Sequence, residues 1–198
     1  MCPVTDAGDG RSRRAEATRR RIYETAMRLF QEEGFDRVSV GQLASAAKVS
    51  VPTFYAHFPS KDHVVMQLPT AEQMEGLLAT QPTDLPVGTR LRRAAPIWFS
   101  QWGPEERAEM LARWRIIAST PTLRTRAAEF ERTTAGLVEK ALPPDPESSL
   151  TPAEGVLVMA YLAAFTSGLL AWADSDGQQE LEKLVDAAFD ALDGGDKG

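Results

Sequence analysis

A short segment near the start of the chain, Val49 to Val64, constrains the fold most because it predicts a brief helix with one apolar face and one slim face. Phe54 and Phe58 are four residues apart and therefore share a face of such a helix. At about 100° per residue, the opposite face carries only small side chains, those of Pro52, Thr53 and Ala56. A helix with so slim an outer face fits the width of a DNA major groove.

The flanks of this predicted helix carry polar groups. Tyr55 and His57 project to the two sides of the slim face, and Lys61 follows as a cation at the head of the next helix. A helix in a major groove meets base edges at its centre and phosphates at its flanks. The segment therefore predicts a groove-binding helix.

The residues upstream predict two further helices. Apolar residues recur with helical spacing over residues 14–33, and Gly34 ends this helix. The apolar positions are Ile22, Ala26, Leu29 and Phe30. Ser39 is a predicted N-cap for a compact helix over residues 42–47, and residues 48–50 form a turn before the groove-binding helix. This order is the helix-turn-helix layout.

Residues 14–66 resemble the DNA-binding domain of the TetR family of transcriptional repressors, through the successive stretches IYETAMRLFQEEGF, SVGQLASAAKVS and TFYAHFPSKD. The resemblance implies an all-α fold of about nine helices. A flexible basic arm would span residues 1–13, and a three-helix helix-turn-helix domain residues 14–60. Residues 61–198 would form a larger ligand-binding and dimerisation domain.

The resemblance also implies a partner, double-stranded DNA with a palindromic operator. The expected contacts come from Thr18, Ser39, Ser50, Val51, Pro52, Thr53, Tyr55, His57 and Lys61. Two departures matter. Lys48 stands where many relatives have glycine, in a turn expected to need a positive φ. Gly41 offers no side chain near the start of the second helix, so the operator cannot be transferred from relatives.

Charge is unevenly distributed along the chain. The net charge is −6, yet residues 1–66 carry 10 basic and 8 acidic side chains. Six arginines and one glutamate lie between Arg11 and Arg21. Some of these arginines are expected to contact phosphates, the alternative being a solvated tail.

The remainder of the chain predicts further helices. We expect a long fourth helix over residues 61–79, helices over 87–101 (bent at Pro96) and 105–118, and another that ends near Leu142. Thr151, Pro152 and Glu154 predict a capped start for a helix that is uncharged over residues 155–173. Its weak apolarity and its lack of flanking Lys or Arg favour a buried helix of a cytoplasmic protein over a membrane span. The last helix is expected over residues 178–192.

The last two helices predict a homodimer. The uncharged helix has a stripe of small residues opposite a bulky face, and the final helix has one apolar face, which suggests a four-helix contact across a twofold axis. The expected interface residues are Ala160, Ala164, Ser167, Gly168, Ala171, Leu181, Leu184, Val185, Ala188 and Phe189. The alternative is a monomer whose own helices cover these faces.

Aromatic residues between the two ends of the chain predict a sensor site. The resemblance implies a small-molecule inducer here, largely apolar or aromatic. The expected lining is Trp98, Trp102, Met110, Arg113, Trp114, Ile117, Phe130 and Met159. The alternative is that these side chains only form core.

Catalytic chemistry finds little support. His57 and His63 are the only histidines, Cys2 is the only cysteine, and no carboxylate set has metal-ligand spacing. We therefore expect no enzyme activity, no metal and no cofactor. The function expected is a repressor released from its operator by a ligand. The alternative is a ligand-binding or structural dimer that has lost operator binding.

Overall fold

The structure, a computed structural model, describes residues 7–142 and 149–194, and within these ranges all regular elements are helical. The chain divides into two compact units, one ending at Val65 and the other starting at Met66. The all-α prediction is confirmed. The described residues form ten α-helices, close to the expected nine, and one 3₁₀ turn.

The first unit is a small helical domain. It contains α1 (Ala7–Glu33), a 3₁₀ turn (Phe35–Arg37), α2 (Val40–Ala46), α3 (Val51–His57) and α4 (Asp62–Val65). The fully buried side chains of its core include Ile22, Val38, Leu43, Phe54, Phe58, Val64 and Val65. The arm predicted over residues 1–13 is wrong for residues 7–13, which continue α1, and residues 1–6 lie outside the described ranges.

The cap predicted at Ser39 is confirmed, and the structure adds a cap at Ser50 that was not predicted. Ser39 caps α2 in a reciprocal capping box with Gln42, and Ser50 caps α3 by accepting from the Thr53 N–H. Lys48 has φ 54°, the positive value that the turn was expected to need. The turn therefore keeps its geometry without glycine.

The predicted long fourth helix is wrong. α4 ends at Val65, and α5 begins only at Ala71. Pro69 disfavours helical backbone at the residue before it, and Thr70 starts α5 with a capping box to Gln73. The unit boundary consequently falls after Val65 rather than after residue 60.

The described part of the second unit contains six helices. Its elements are α5 (Ala71–Ala79), α6 (Val87–Ser100), α7 (Pro104–Ser119), α8 (Pro121–Ala141), α9 (Pro152–Asp174) and α10 (Leu181–Leu192). A first apolar cluster joins α5, α6, α8 and α9, with Leu78, Leu142 and Val158 at its centre. A second cluster, centred on Leu181, Val185 and Phe189, joins α6, α9 and α10. Thr151 caps α9 in the predicted capping box with Glu154.

The helix α9 is the one described helix that is long and apolar enough to cross a membrane by length and composition. In this structure it packs against α6, α7, α8 and α10. Its bulky residues Val158, Tyr161, Leu169 and Trp172 are buried within its own unit. Its apolarity is therefore used in helix packing.

Candidate DNA-binding interface and sensor region

The helix α3 presents the predicted outward face. Phe54 and Phe58 are buried, whereas Val51 and Tyr55 are 40% and 51% exposed. Pro52 and Ala56 are also exposed. Six of the nine expected DNA-contact residues lie on α3 or at its cap: Ser50, Val51, Pro52, Thr53, Tyr55 and His57.

The first turn of α3 is closed by two hydroxyl groups. The Thr53 N–H donates to Ser50 Oγ at 3.1 Å. The hydroxyl oxygens of Ser50 and Thr53 are 2.7 Å apart, so one of them donates to the other. The Thr53 hydroxyl is thus already engaged within the protein.

Two arginines of α1 hold the ends of α2 and α3. Arg19 Nη1 donates to the carbonyl of His57 at 2.7 Å, and its guanidinium lies 4.3 Å from the centre of the Phe58 ring. Arg21 Nε donates to the carbonyl of Ala47 at 2.9 Å. A cation at a helix C-terminus satisfies carbonyls that lack helical partners and favours the helix dipole. The sequence led us to expect phosphate contacts from some of the arginines between Arg11 and Arg21, or a solvated tail, and this role was missed.

Lys61 has a similar internal role. Its ammonium donates to the carbonyls of Phe35 and Val38 at 2.8 and 3.1 Å and lies 4.1 Å from the centre of the Phe35 ring. Burial lowers the pKa of Lys61, and the nearby Asp36 carboxylate opposes that shift. Two of the three ammonium hydrogens are therefore already donated.

The two other expected contact residues lie outside α3. The half-buried Thr18 donates its hydroxyl to the carbonyl of Arg14 at 2.9 Å, and Ser39 is occupied in the cap of α2. Beside Thr18, the exposed Arg20 forms an ion pair with Glu24 at 2.8 Å. Arg20 thus pairs with a carboxylate, whereas Arg19 and Arg21 donate to backbone carbonyls.

Five of the eight expected sensor residues pack against the apolar clusters of the second unit. Trp102, Met110 and Trp114 pack against the second apolar cluster, Met159 packs against the first, and Trp98 touches both. Ile117 and Arg113 are buried, with Arg113 Nη2 3.2 Å from Met110 Sδ, and Phe130 is half-buried. Two of the eight are therefore buried in this structure, and six are half-buried.

A cleft of about 600 Å³ lies elsewhere in the second unit. Its walls come from α6, α9 and α10 and include Thr89, Arg92, Pro96, Leu157, Tyr161 and Asp193, none of which was predicted to line a sensor site. Arg92 binds Asp190 at 2.5 Å and Asp193 at 2.9 Å. Tyr161 donates its hydroxyl to Asp193, and burial together with that bond raises the pKa of Tyr161 to about 12. This cleft is mixed in polarity, unlike the apolar site expected.

Half of the expected dimer residues lie inside the subunit. Leu181, Val185 and Phe189 are buried in the second cluster together with Ala164. A Cβ atom on Gly168 would lie 2.5 Å from Val185 Cγ2, so this glycine admits α10 of the same chain. Their assignment to a contact between subunits is wrong, because the small residues of α9 are used to pack α10 against it.

The other expected dimer residues stay accessible. Ser167 is exposed, and Ala160, Ala171, Leu184 and Ala188 are half-buried. They adjoin an exposed apolar face on which Val156 is 69% and Leu192 43% exposed. This outer face of α9 and α10 also includes Ala163, Ala187 and Ala191.

The first unit has the architecture of a helix-turn-helix DNA-binding domain, and the second is a separate helical body. Residues 22–68 match the pattern of bacterial regulatory proteins of the tetR family, and residues 85–197, more than half of the chain, match the MftR C-terminal domain. The chain belongs to the TetR family of transcriptional regulators, with an MftR-type C-terminal domain.

Curated relatives match over part of their length. The transcriptional regulator EthR of Mycolicibacterium smegmatis is 31% identical over 123 residues, which cover 60% of this chain and 53% of EthR. MftR of Mycobacterium tuberculosis, named for mycofactocin biosynthesis, is 30% identical over 113 residues, 56% of this chain and 57% of MftR. The chain thus spans little more than half the length of these curated relatives.

Solved structures show the same fold. FadR of Thermus thermophilus, a TetR-family repressor solved with lauroyl-CoA, aligns with a TM-score of 0.51 at 20% identity, covering 91% of this chain and 95% of FadR. NalD of Pseudomonas aeruginosa, a repressor of a multidrug efflux pump, aligns with a TM-score of 0.51 at 24% identity, covering 88% of this chain and 96% of NalD. At these identities the likeness concerns the fold alone.

Proposed function

We propose that this protein is a dimeric repressor that binds a palindromic operator and leaves it when a small ligand binds the body. The observation that carries the proposal is α3, whose outward face is exposed while both of its phenylalanines are buried. Arg19 donates to the carbonyl of His57 at its C-terminus. The helix is therefore anchored through its buried face and its C-terminus, while its outward face stays exposed. That is the arrangement that groove insertion needs.

An electrophoretic mobility shift with the promoter DNA of the protein's own gene tests operator binding. We expect saturable binding that survives excess random duplex. Tyr55→Ala removes an exposed side chain at the flank of α3 and should weaken binding, whereas Thr133→Ala, at an exposed position on α8, should not. Equal binding of promoter and random duplex would contradict the repressor proposal.

The outer face of α9 and α10 is the proposed dimer contact. Ala160, Ala163 and Ser167 are spaced at three and four residues along α9, so they share one side of that helix. Small side chains allow close helix approach, and a dimer would place two recognition helices about one turn of DNA apart. Ala163→Arg should therefore produce monomers in sedimentation, with Thr133→Arg as the control on α8. A dimer that survives Ala163→Arg would remove this face from the contact.

The proposed ligand site lies in the body, beside the second apolar cluster. Trp98, Trp102, Met110 and Trp114 surround part of that cluster, and Arg113 is buried next to Met110. The remaining proposed contacts are Ile117, Phe130 and Met159. An apolar or aromatic ligand would gain the most from such surroundings. We propose that it enters by displacing packed side chains.

Release from DNA then follows from linkage. A ligand that prefers a body conformation incompatible with operator binding lowers DNA affinity by that same preference. Mobility shifts repeated with candidate metabolites would identify the inducer. A compound that binds the body without changing operator affinity would be a ligand without a regulatory effect.

A further inference from the structure

The exposed surface of α3 is mostly carbon. Val51, Pro52 and Ala56 face outward from its first two turns. The helix sequence VPTFYAH contains no arginine, lysine, asparagine or glutamine. Those are the side chains that read guanine or adenine with paired hydrogen bonds in the major groove.

Tyr55 and His57 are polar groups at the flanks of this surface, where a groove-bound helix meets phosphates. The polar groups nearer its centre already have partners. The Thr53 hydroxyl lies 2.7 Å from that of Ser50. On α2, Gln42 Oε1 accepts from both the backbone N–H and the hydroxyl of Ser39, each at 2.8 Å. A glutamine so engaged cannot offer its oxygen and nitrogen together to adenine.

The start of α2 adds no long side chain at its second position. A Cβ atom on Gly41 would have a single neighbour within 4 Å, Ser39 Oγ at 3.9 Å. The space beside Gly41 is therefore open, and no side chain fills it. The nearby Arg19 and Arg21 donate to backbone carbonyls. Lys48 is exposed but belongs to the turn before α3, where a cation is suited to phosphate contact.

We infer that this chain recognises its operator chiefly through thymine methyl groups, and that its half-site is marked by thymines rather than by guanines. Among the base-pair edges in the major groove, the thymine C5-methyl group is the apolar feature, and carbon side chains contact it favourably. Val51, Pro52 and Ala56 supply such carbon. The inference rests on the proposed operator binding and specifies its chemistry.

Selection from a random-sequence duplex pool, followed by base substitution, tests the inference with the full chain. The tightest selected duplex is resynthesised with uracil in place of one thymine at a time, which removes only the C5-methyl group. Each methyl that contacts α3 should contribute about fourfold in affinity, the factor equivalent to about 0.8 kcal/mol for a buried CH₂ group. Replacing the same thymine by cytosine should weaken binding, and 5-methylcytosine should restore part of it.

Val51→Ala supplies the matched protein variant. If Val51 contacts a methyl group, the uracil effect at one thymine should shrink in Val51→Ala and stay unchanged at the others. Thymines outside the protected half-sites serve as DNA controls and should tolerate uracil.

The outcomes separate two failures. Enrichment of no sequence by the wild-type protein would overturn the proposed operator binding, and the inference with it. An enriched half-site that lacks thymine, or one in which every uracil substitution leaves affinity unchanged, would overturn the methyl inference while leaving operator binding intact.

Discussion

Neighbouring arginines on α1 have different partners. Arg19 and Arg21 donate to carbonyls at the ends of α3 and α2, whereas Arg20, between them, is exposed and pairs with Glu24. Sequence alone shows three equivalent cations here. The structure distinguishes two that bind the ends of α3 and α2 from one that pairs with a carboxylate of its own helix.

Arg19→Gln and Arg20→Gln form a matched pair, since each removes one charge. Arg19→Gln should lower the free energy of unfolding by about 1 to 2 kcal/mol, because a charged hydrogen bond to a half-buried carbonyl is lost. It should also weaken operator binding without changing the slope of log affinity against log salt. Urea unfolding and salt titrations measure both quantities.

Arg20→Gln is the control and should change stability by less than about 0.5 kcal/mol. A phosphate contact instead contributes about 0.9 to the salt slope. If Arg19→Gln lowered the slope by that amount and left stability intact, Arg19 would be a phosphate contact and not a positioning residue.

Tyr161 gives a pH-dependent stability. Its folded-state pKa is about 12, against an ordinary value of 10.0, because the hydroxyl is buried and bonded to Asp193. The raised pKa means that its stabilisation is complete below pH 10 and is lost as pH rises towards 12. Urea unfolding at pH 9 and pH 11 should therefore show a larger loss of stability for the wild type than for Tyr161→Phe. Tyr55→Phe, at an exposed position, should behave as the wild type does, and an identical loss in Tyr161→Phe would contradict this assignment.

At the scale of the helix, several C-termini are bound by arginine side chains from elsewhere in the chain. Arg90 donates to the carbonyl of Leu142 after α8 at 2.6 Å, Arg124 to that of Ala118 near the end of α7 at 2.5 Å, and Arg115 to that of Asp176 after α9 at 2.9 Å. With Arg19 and Arg21, five helices end against an arginine side chain.

The N-terminal caps are local in sequence, whereas most of these C-terminal contacts are not. This difference explains which helix boundaries could be predicted. N-caps such as Ser39 with Gln42 act over three residues, so the sequence displays both partners. Four of these C-terminal donors are 26 to 61 residues from their carbonyls, and sequence order does not reveal such pairs. The break before α5 was visible, because Pro69 and Thr70 mark it, and the expectation of one long helix overlooked that signal.

Half of the residues expected between subunits were misassigned for a different reason. Periodicity showed that α9 is apolar on both sides but not which helix covers each side. The structure places α10 of the same chain against Gly168. The small residues therefore shape the subunit interior, and the slim face of α3 was predictable because only one side of that helix can be buried.

Gly168→Ala tests the packing of α9 against α10. The added Cβ would lie 2.5 Å from Val185 Cγ2 and 3.0 Å from Val185 Cα, so backbone must move. Overpacking of this kind should cost about 1 to 3 kcal/mol of stability. Gly136→Ala on α8, where nothing lies within 4 Å, should instead stabilise by roughly 0.5 to 1 kcal/mol. A stable Gly168→Ala that only loses dimerisation in sedimentation would return Gly168 to the contact between subunits.

For the whole molecule, the charge differs between the two ends of the chain. Residues 1–66 carry 10 basic and 8 acidic side chains, and the rest of the chain carries 12 basic and 20 acidic ones. An acidic body repels the phosphate backbone, whereas the first unit attracts it. Non-specific association with DNA should therefore depend on the first unit.

All four tryptophans, Trp98, Trp102, Trp114 and Trp172, belong to the second unit. An inducer bound near the second cluster should change tryptophan emission, since indole emission follows local polarity and stacking, and operator binding should change it less. By reciprocity, the factor that the inducer removes from operator affinity equals the factor that saturating operator removes from inducer affinity. Fluorescence titrations with and without operator measure both. A compound that releases DNA without altering emission would place the sensor away from these residues.

The way in which α3 is held has an evolutionary consequence. It is anchored by Phe54, Phe58 and the backbone carbonyl of His57, and a backbone carbonyl is present whatever the side chain at that position. Val51, Pro52 and Ala56 face outward and take no part in this anchoring. Mutations on that outward face leave the core and the carbonyl contact in place, so lineages can drift in DNA preference without first acquiring compensating mutations. Descendants of this protein could accordingly acquire new target genes through single codon changes.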